Sequence, residues 1–173
     1  MNTRIQVEHG ITEMVSGVDL VREQLRIASG LPLSVTQEAV HITGHAIECR
    51  VNAEDPAADF RPCPGTVEFL HFPGGPGVRV DSCLYTGCQL PPWYDSLAAK
   101  VMAHAPTRLE AIRRMRRSLE EFILEGFPTN AELSYQILYH PDFIRGCCTT
   151  AFLDEHLPEL LEFRRRLEEE TKV

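Results

Sequence analysis

Asn2, Arg4, Gln6 and Glu8 occupy every second position of the opening segment, with Ile5 and Val7 between them. That alternation predicts a β-strand, in which side chains change face at each residue. Ile5 and Val7 then point to the core. The other face carries two amides, a guanidinium and a carboxylate, with about 7 Å between successive Cα atoms. Two readings fit this row. It holds a small anion with a base beside it, or it is a solvated strand face with a surface ion pair worth about 0–1 kcal/mol. A second row, Glu48, Arg50 and Asn52, alternates with Ile47, Cys49 and Val51 and poses the same choice, here between a ligand-facing arginine and a structural salt bridge.

The elements that must position these rows follow from local signals. Asp19 caps a helix that carries Leu20, Val21, Leu25 and Ala28 and stops at Gly30 and Pro32. Residues 31–44 read as a connection. Strands are expected from His45, over Thr66–Phe72 and Gly77–Ser82 around the turn-forming Pro73-Gly74-Gly75-Pro76-Gly77, and near Leu97–Ala103. The glycine-rich stretch leads into a strand and has no Lys-Ser/Thr ending, which excludes a phosphate cradle. Thr107 and Glu110 form a capping box for a helix whose Ile112, Met115, Leu119, Phe122 and Ile123 recur at helical spacing up to Gly126. Helices are also expected over Asn130–Tyr139 and Asp154–Leu167, with a charged, fraying end from Arg164 to Val173. Strands first and helices afterwards predict an α+β domain.

A net charge of −8 leaves no basic surplus to neutralise phosphates, so neither nucleic acid nor an anionic membrane is an expected partner. Arg113, Arg114, Arg116 and Arg117 read as the solvated face of a helix. No apolar run nears the roughly 18 residues of a membrane span, and the N-terminus has no signal-peptide core, so the chain reads as cytoplasmic. The six cysteines include adjacent Cys147 and Cys148 but no Cys-x-x-Cys pair, a pattern that favours free thiols over a zinc site.

The words themselves narrow the choice. Residues 2–9, Asn-Thr-Arg-Ile-Gln-Val-Glu-His, are followed by Thr12-Glu13-Met14 and Gly17-Val18-Asp19-Leu20, then by Gly44-His45-Ala46-Ile47-Glu48-Cys49-Arg50-Val51-Asn52-Ala53-Glu54-Asp55-Pro56. With Pro73-Gly74-Gly75 and Pro92-Trp93-Tyr94-Asp95-Ser96-Leu97-Ala98-Ala99-Lys100, they make the chain resemble biotin carboxylase to about residue 155. The resemblance is to the C-terminal part of that enzyme. It implies the end of an ATP-grasp domain (1–33), the biotin carboxylase C-terminal domain (34–155; antiparallel strands, then packed helices) and a charged C-terminal helix or tail (156–173).

Biotin carboxylase uses ATP, Mg²⁺ (or Mn²⁺) and bicarbonate to carboxylate biotin on a carrier protein. By the resemblance, Arg4 binds bicarbonate with Gln6 and the Val7 backbone, Glu8 is the general base, Arg50 faces the biotin enolate, and Asn2 lies beside the metal. His9 and His45 receive no chemistry, and Lys100 receives packing or an ion pair. Implied partners are biotin carboxyl carrier protein, carboxyltransferase subunits and a second copy of the chain, with Arg79 near the subunit contact. Gly10 and Pro76 depart from the family pattern; the first is expected to loosen the turn after the catalytic strand, and the second to weaken or rearrange the dimer contact. The family's phosphate-binding elements lie upstream of the opening words, so this chain alone is expected to be inactive. Acetyl-CoA, propionyl-CoA, pyruvate and urea carboxylases share this half-reaction, so the resemblance leaves the acyl acceptor open; a free-standing subunit of acetyl-CoA carboxylase, serving fatty acid synthesis, is the expected context. The alternative is a non-catalytic dimerisation and carrier-docking module, or the product of a decayed gene.

Overall fold

The computed structural model describes the backbone of residues 1–171 and the side chains through Glu162. Its centre is a three-stranded antiparallel sheet in the order β1-β6-β5, formed by β1 (His45–Asn52), β6 (Leu97–Ala105) and β5 (Val78–Asp81). Two short pairs flank it: β2 (Glu54–Asp55) with β3 (Arg61–Pro62), and β4 (Phe69–His71) with β7 (Ile123–Glu125). The helices are α1 (His9–Ser16), α2 (Leu20–Ala28), α3 (Arg108–Glu121), α4 (Ala131–Ile137), α5 (Pro141–Arg145) and α6 (Phe152–Thr171). The α+β expectation holds.

The period-two alternation of β1 and β6 gives the sheet two unlike faces. Val51, Ala99, Val101 and Ala103 point one way and form the core with Ile112, Met115 and Leu119 of α3. Glu48, Arg50, Lys100 and Met102 point the other way, towards α1. Gly10 in the first turn of α1 is buried there, and a Cβ on it would lie 2.3 Å from the Met102 sulfur. Helix therefore replaces the loose turn expected at Gly10.

The caps behave as their residues dictate. Asp19 accepts the Arg22 N–H at 2.8 Å, and the reciprocal Thr107–Glu110 capping box opens α3. Other expectations change. α3 stops at Glu121, and Ile123 belongs to β7, where β4 supplies ladder partners. The segments either side of the Gly-Pro turn form only β4 and β5, which pair with β7 and β6 and not with each other. The apolar residues Val21, Leu25 and Ile27 of α2 are exposed, and the buried position is Glu23, whose carboxylate accepts the Ser34 N–H and hydroxyl at 2.8 and 2.5 Å.

The α3 arginines are more than a solvated face. Arg114 donates to the His104 carbonyl, Arg116 to Leu138 O at 2.5 Å, and Arg117 to Gly74 O at 3.1 Å. They tie α3 to the sheet end, to α4 and to the Gly-Pro turn. α6 begins two residues before the expected Asp154 and its backbone stays helical to Thr171, past the expected Leu167, so the segment expected to fray from Arg164 is helix up to that point; Lys172 and Val173 lie outside the described residues.

Candidate active site

Residues 2–8 are not a strand. They run without regular structure into a turn at Val7 and Glu8, and Ile5 and Val7 are half-buried and not in the core. A strand needs a neighbour for its N–H and C=O groups, and among the described residues none pairs with this segment. The expected common face of Asn2, Arg4, Gln6 and Glu8 does not form. The segment is held instead from below: buried Lys100 reaches out of β6 and donates from Nζ to the Val7 carbonyl at 3.0 Å.

That contact brings the two polar rows together. Glu8, at the N-cap of α1, accepts from Arg50 Nη2 at 2.5 Å. Both side chains remain nearly half exposed, at 44% and 47%, so water and a ligand can reach the pair. The backbone around Glu8, then the charge and hydrogen bond of Arg50 and the charge of Arg4, hold the Glu8 carboxyl below its ordinary value. Arg4 is exposed, and its Nη1 donates to Ile5 O at 2.9 Å. Gln6 contributes its carbonyl, which accepts from the His9 ring Nδ1 at 2.8 Å. Arg50, Val7, Asn52, Glu54, Tyr94 and Asp95 line a cleft of about 400 Å³.

Beneath the exposed pair lies a charged layer. Glu48 faces Met102 across the β1–β6 ladder, its side chain is only 4% exposed, and its two oxygens are buried without a hydrogen-bond partner. Burial pushes its carboxyl upward, against the pull of Lys100 and Arg50, whose Nε stands 3.8 Å away. Lys100 pairs with Asp81 at 3.2 Å, and Arg79 binds Asp81 with two nitrogens at 2.8 and 2.9 Å and Glu13 at 2.6 Å. Burial alone would raise the Asp81 carboxyl; the bonds from Arg79 and Lys100 outweigh it and hold it low. Arg79 thus ties α1 to β5 within one chain.

In the sequence Asn130 marks only the start of a helix. Its side chain accepts the Asn52 N–H at 2.8 Å and donates to the Arg50 carbonyl at 3.1 Å, completing the end of β1. No local signal marks an asparagine 80 residues downstream as the partner of that strand.

A Mg²⁺ site is not complete in this segment. It offers the amide of Asn2 and a carboxylate already paired with Arg50, and among the described residues no cluster of three metal-ligating side chains gathers there. All six cysteines are free thiols, and burial pushes Cys49 upward.

Comparison with known proteins places this geometry. Residues 48–155 match the model of the biotin carboxylase C-terminal domain, and residues 1–36 match that of the carbamoyl-phosphate synthase L chain ATP-binding domain. The biotin carboxylase of Nostoc sp. is 54% identical over 90% of this chain and 35% of its own length. The biotin carboxylase domain dimer of the Hydrogenobacter thermophilus 2-oxoglutarate carboxylase, solved with MgADP, ADP and bicarbonate, superposes with a TM-score of 0.89 at 46% identity, over 92% of this chain and 35% of that one. The complete multifunctional pyruvate carboxylase of Rhizobium etli superposes with a TM-score of 0.86 at 41% identity, over 92% of this chain and 16% of that one. The chain spans about a third of the length of the curated relatives it matches. With the sheet, its charged layer and the domain match in agreement, the chain belongs to the biotin carboxylase C-terminal domain family.

Proposed function

We propose that this chain is the C-terminal part of a biotin carboxylase that uses ATP, Mg²⁺ and bicarbonate to carboxylate biotin on a biotin carboxyl carrier protein. The observation that carries the reading is the exposed Glu8–Arg50 pair at 2.5 Å beside an open cleft, with Arg4 close enough to lower the Glu8 carboxyl. Arg4, with Gln6 and the Val7 backbone, holds the bicarbonate anion. Glu8, kept ionised, takes the bicarbonate proton. Arg50 supplies fixed positive charge to the oxyanion that develops on the biotin ureido oxygen. In the pair as it stands each group quiets the other. A ligand oxygen that draws Arg50 away leaves Glu8 a stronger base, so substrate arrival and base activation are coupled.

Residues 1–33 serve as the end of the ATP-grasp domain, and 34–155 as the C-terminal domain that carries Arg50. Asn2 adjoins a Mg²⁺ whose acidic ligands come from elsewhere. The complete enzyme works in the cytoplasm as a homodimer with carboxyltransferase subunits, in acetyl-CoA carboxylation for fatty acid synthesis. A biotin carboxylase domain dimer among the solved structures supports the homodimer. The test is bicarbonate-dependent ATP hydrolysis with free biotin, measured on this chain alone and with the N-terminal lobe of a relative supplied. Turnover is expected only in the second case; turnover by the chain alone would overturn the assignment of the nucleotide site to other residues.

A further inference from the structure

Outside the cleft, the α4–α5 turn and α6 bring three metal-ligating side chains together. His140 and Asp142 flank the start of α5, and His156 projects from the second turn of α6. One donor atom from each lies within 4.8 Å of the others, the single such group among the described residues. His140 Nδ1 stands 3.8 Å and His156 Nε2 3.7 Å from the same oxygen, Oδ2 of Asp142. Donors on a tetrahedral ion with ligand bonds of about 2.0–2.1 Å stand about 3.3 Å apart, so each His–Asp pair need close by only about 0.4 Å.

Four further features suit a cation. The side chains are between 14% and 32% exposed, half-sheltered yet open to a fourth ligand from solvent. The other carboxylate oxygen, Oδ1, is held by Arg145 at 2.6 Å, which orients Asp142 as an outer-shell partner orients a ligand. His140 Nδ1 accepts the Asp142 N–H at 3.2 Å, so that nitrogen already carries the lone pair a metal requires; the long bond is one an ion would replace. Phe152 packs its ring 4.9 Å from both imidazole centroids and walls the site on one side.

We propose that His140, Asp142 and His156 form a site for a divalent transition-metal ion of the zinc class. Two imidazoles and one carboxylate exclude the hard cations Mg²⁺ and Ca²⁺, which prefer all-oxygen shells, and suit Zn²⁺, Co²⁺ or Ni²⁺. The ion would pin α6 to the α4–α5 turn, joining the two sides of the C-terminal helical layer.

Co²⁺ is the probe, because its visible spectrum reports its ligands. Titration of this chain followed by absorption and calorimetry is expected to show one saturable site with nitrogen and oxygen ligation. His156→Ala and His140→Asn are each expected to weaken it about tenfold or more; asparagine keeps the helix-capping acceptor, so α5 survives. Zn²⁺ is expected to raise the thermal midpoint of the wild type and not of the variants. Cys147→Ser/Cys148→Ser, which removes the adjacent thiols, is expected to leave the site occupied. Absence of saturable binding in the wild type, or undiminished binding in both histidine variants, would overturn the proposal.

Discussion

Arg50 Nη2 and Glu8 Oε2 meet at 2.5 Å although 42 residues separate them in sequence. One comes from the side of the central sheet that faces α1 and the other from the N-cap of α1, and the contact joins the two polar rows of the chain. Because both groups are nearly half exposed, the pair is screened by water. Glu8→Gln should therefore shift the urea midpoint of unfolding only slightly. A much larger shift would make the pair a structural element and weaken its assignment to chemistry.

Lys100 is a different case. It is buried, and it holds the Val7 carbonyl and Asp81 together. Lys100→Met keeps the aliphatic stem and removes the donor, so it should cost about 1–3 kcal/mol. Hydrogen exchange of the first eight residues and of α1 should accelerate more than that of β6. Unchanged exchange there would show that the opening segment is held by other contacts.

Asn130 serves the end of β1 with both ends of its amide. Asn130→Ala leaves the Asn52 N–H without its acceptor and should destabilise the chain by about 1–3 kcal/mol. Asn130→Asp restores the acceptor alone and should recover part of that loss in the same denaturation experiment.

Glu48 gives a pH signature. Its carboxyl is raised above the ordinary 4.5 by burial, so the folded chain binds this proton more tightly than the unfolded chain. The stabilisation from protonation is complete below that ordinary value and is lost as pH rises through the higher folded value. Glu48→Gln, permanently neutral, should thus gain thermal stability relative to wild type as pH rises from about 4.5 to about 7. A difference in melting temperature that stays flat across this range would mean that Lys100 and Arg50 fully compensate the buried charge.

Much of this scaffold was legible because its signals are local. The Asp19 cap, the Thr107–Glu110 box and the alternation of Ile47, Cys49 and Val51 each involve residues within a few positions of one another. The misreadings arose where a distant partner decides the outcome. Ile5 and Val7 alternate like a strand, yet no strand lies beside them among the described residues. Ile123 continues the helical spacing of α3, but hydrogen bonding with β4 draws it into a strand. The arginines of α3 lie on the polar side of their helix, and only the fold brings the His104, Leu138 and Gly74 carbonyls within their reach. For the site, the words named Arg4, Glu8 and Arg50; that Lys100 and Asn130 hold the backbones beside them is a property of tertiary placement.

The most direct test is transfer of labelled bicarbonate to free biotin by this chain joined to the N-terminal lobe of a close relative. Wild type should form carboxybiotin, while Glu8→Gln and Arg50→Gln should each fall by about 10²–10³-fold with folding intact. Carboxybiotin formation undiminished in both variants would contradict the assignment of the Glu8–Arg50 pair to the chemistry.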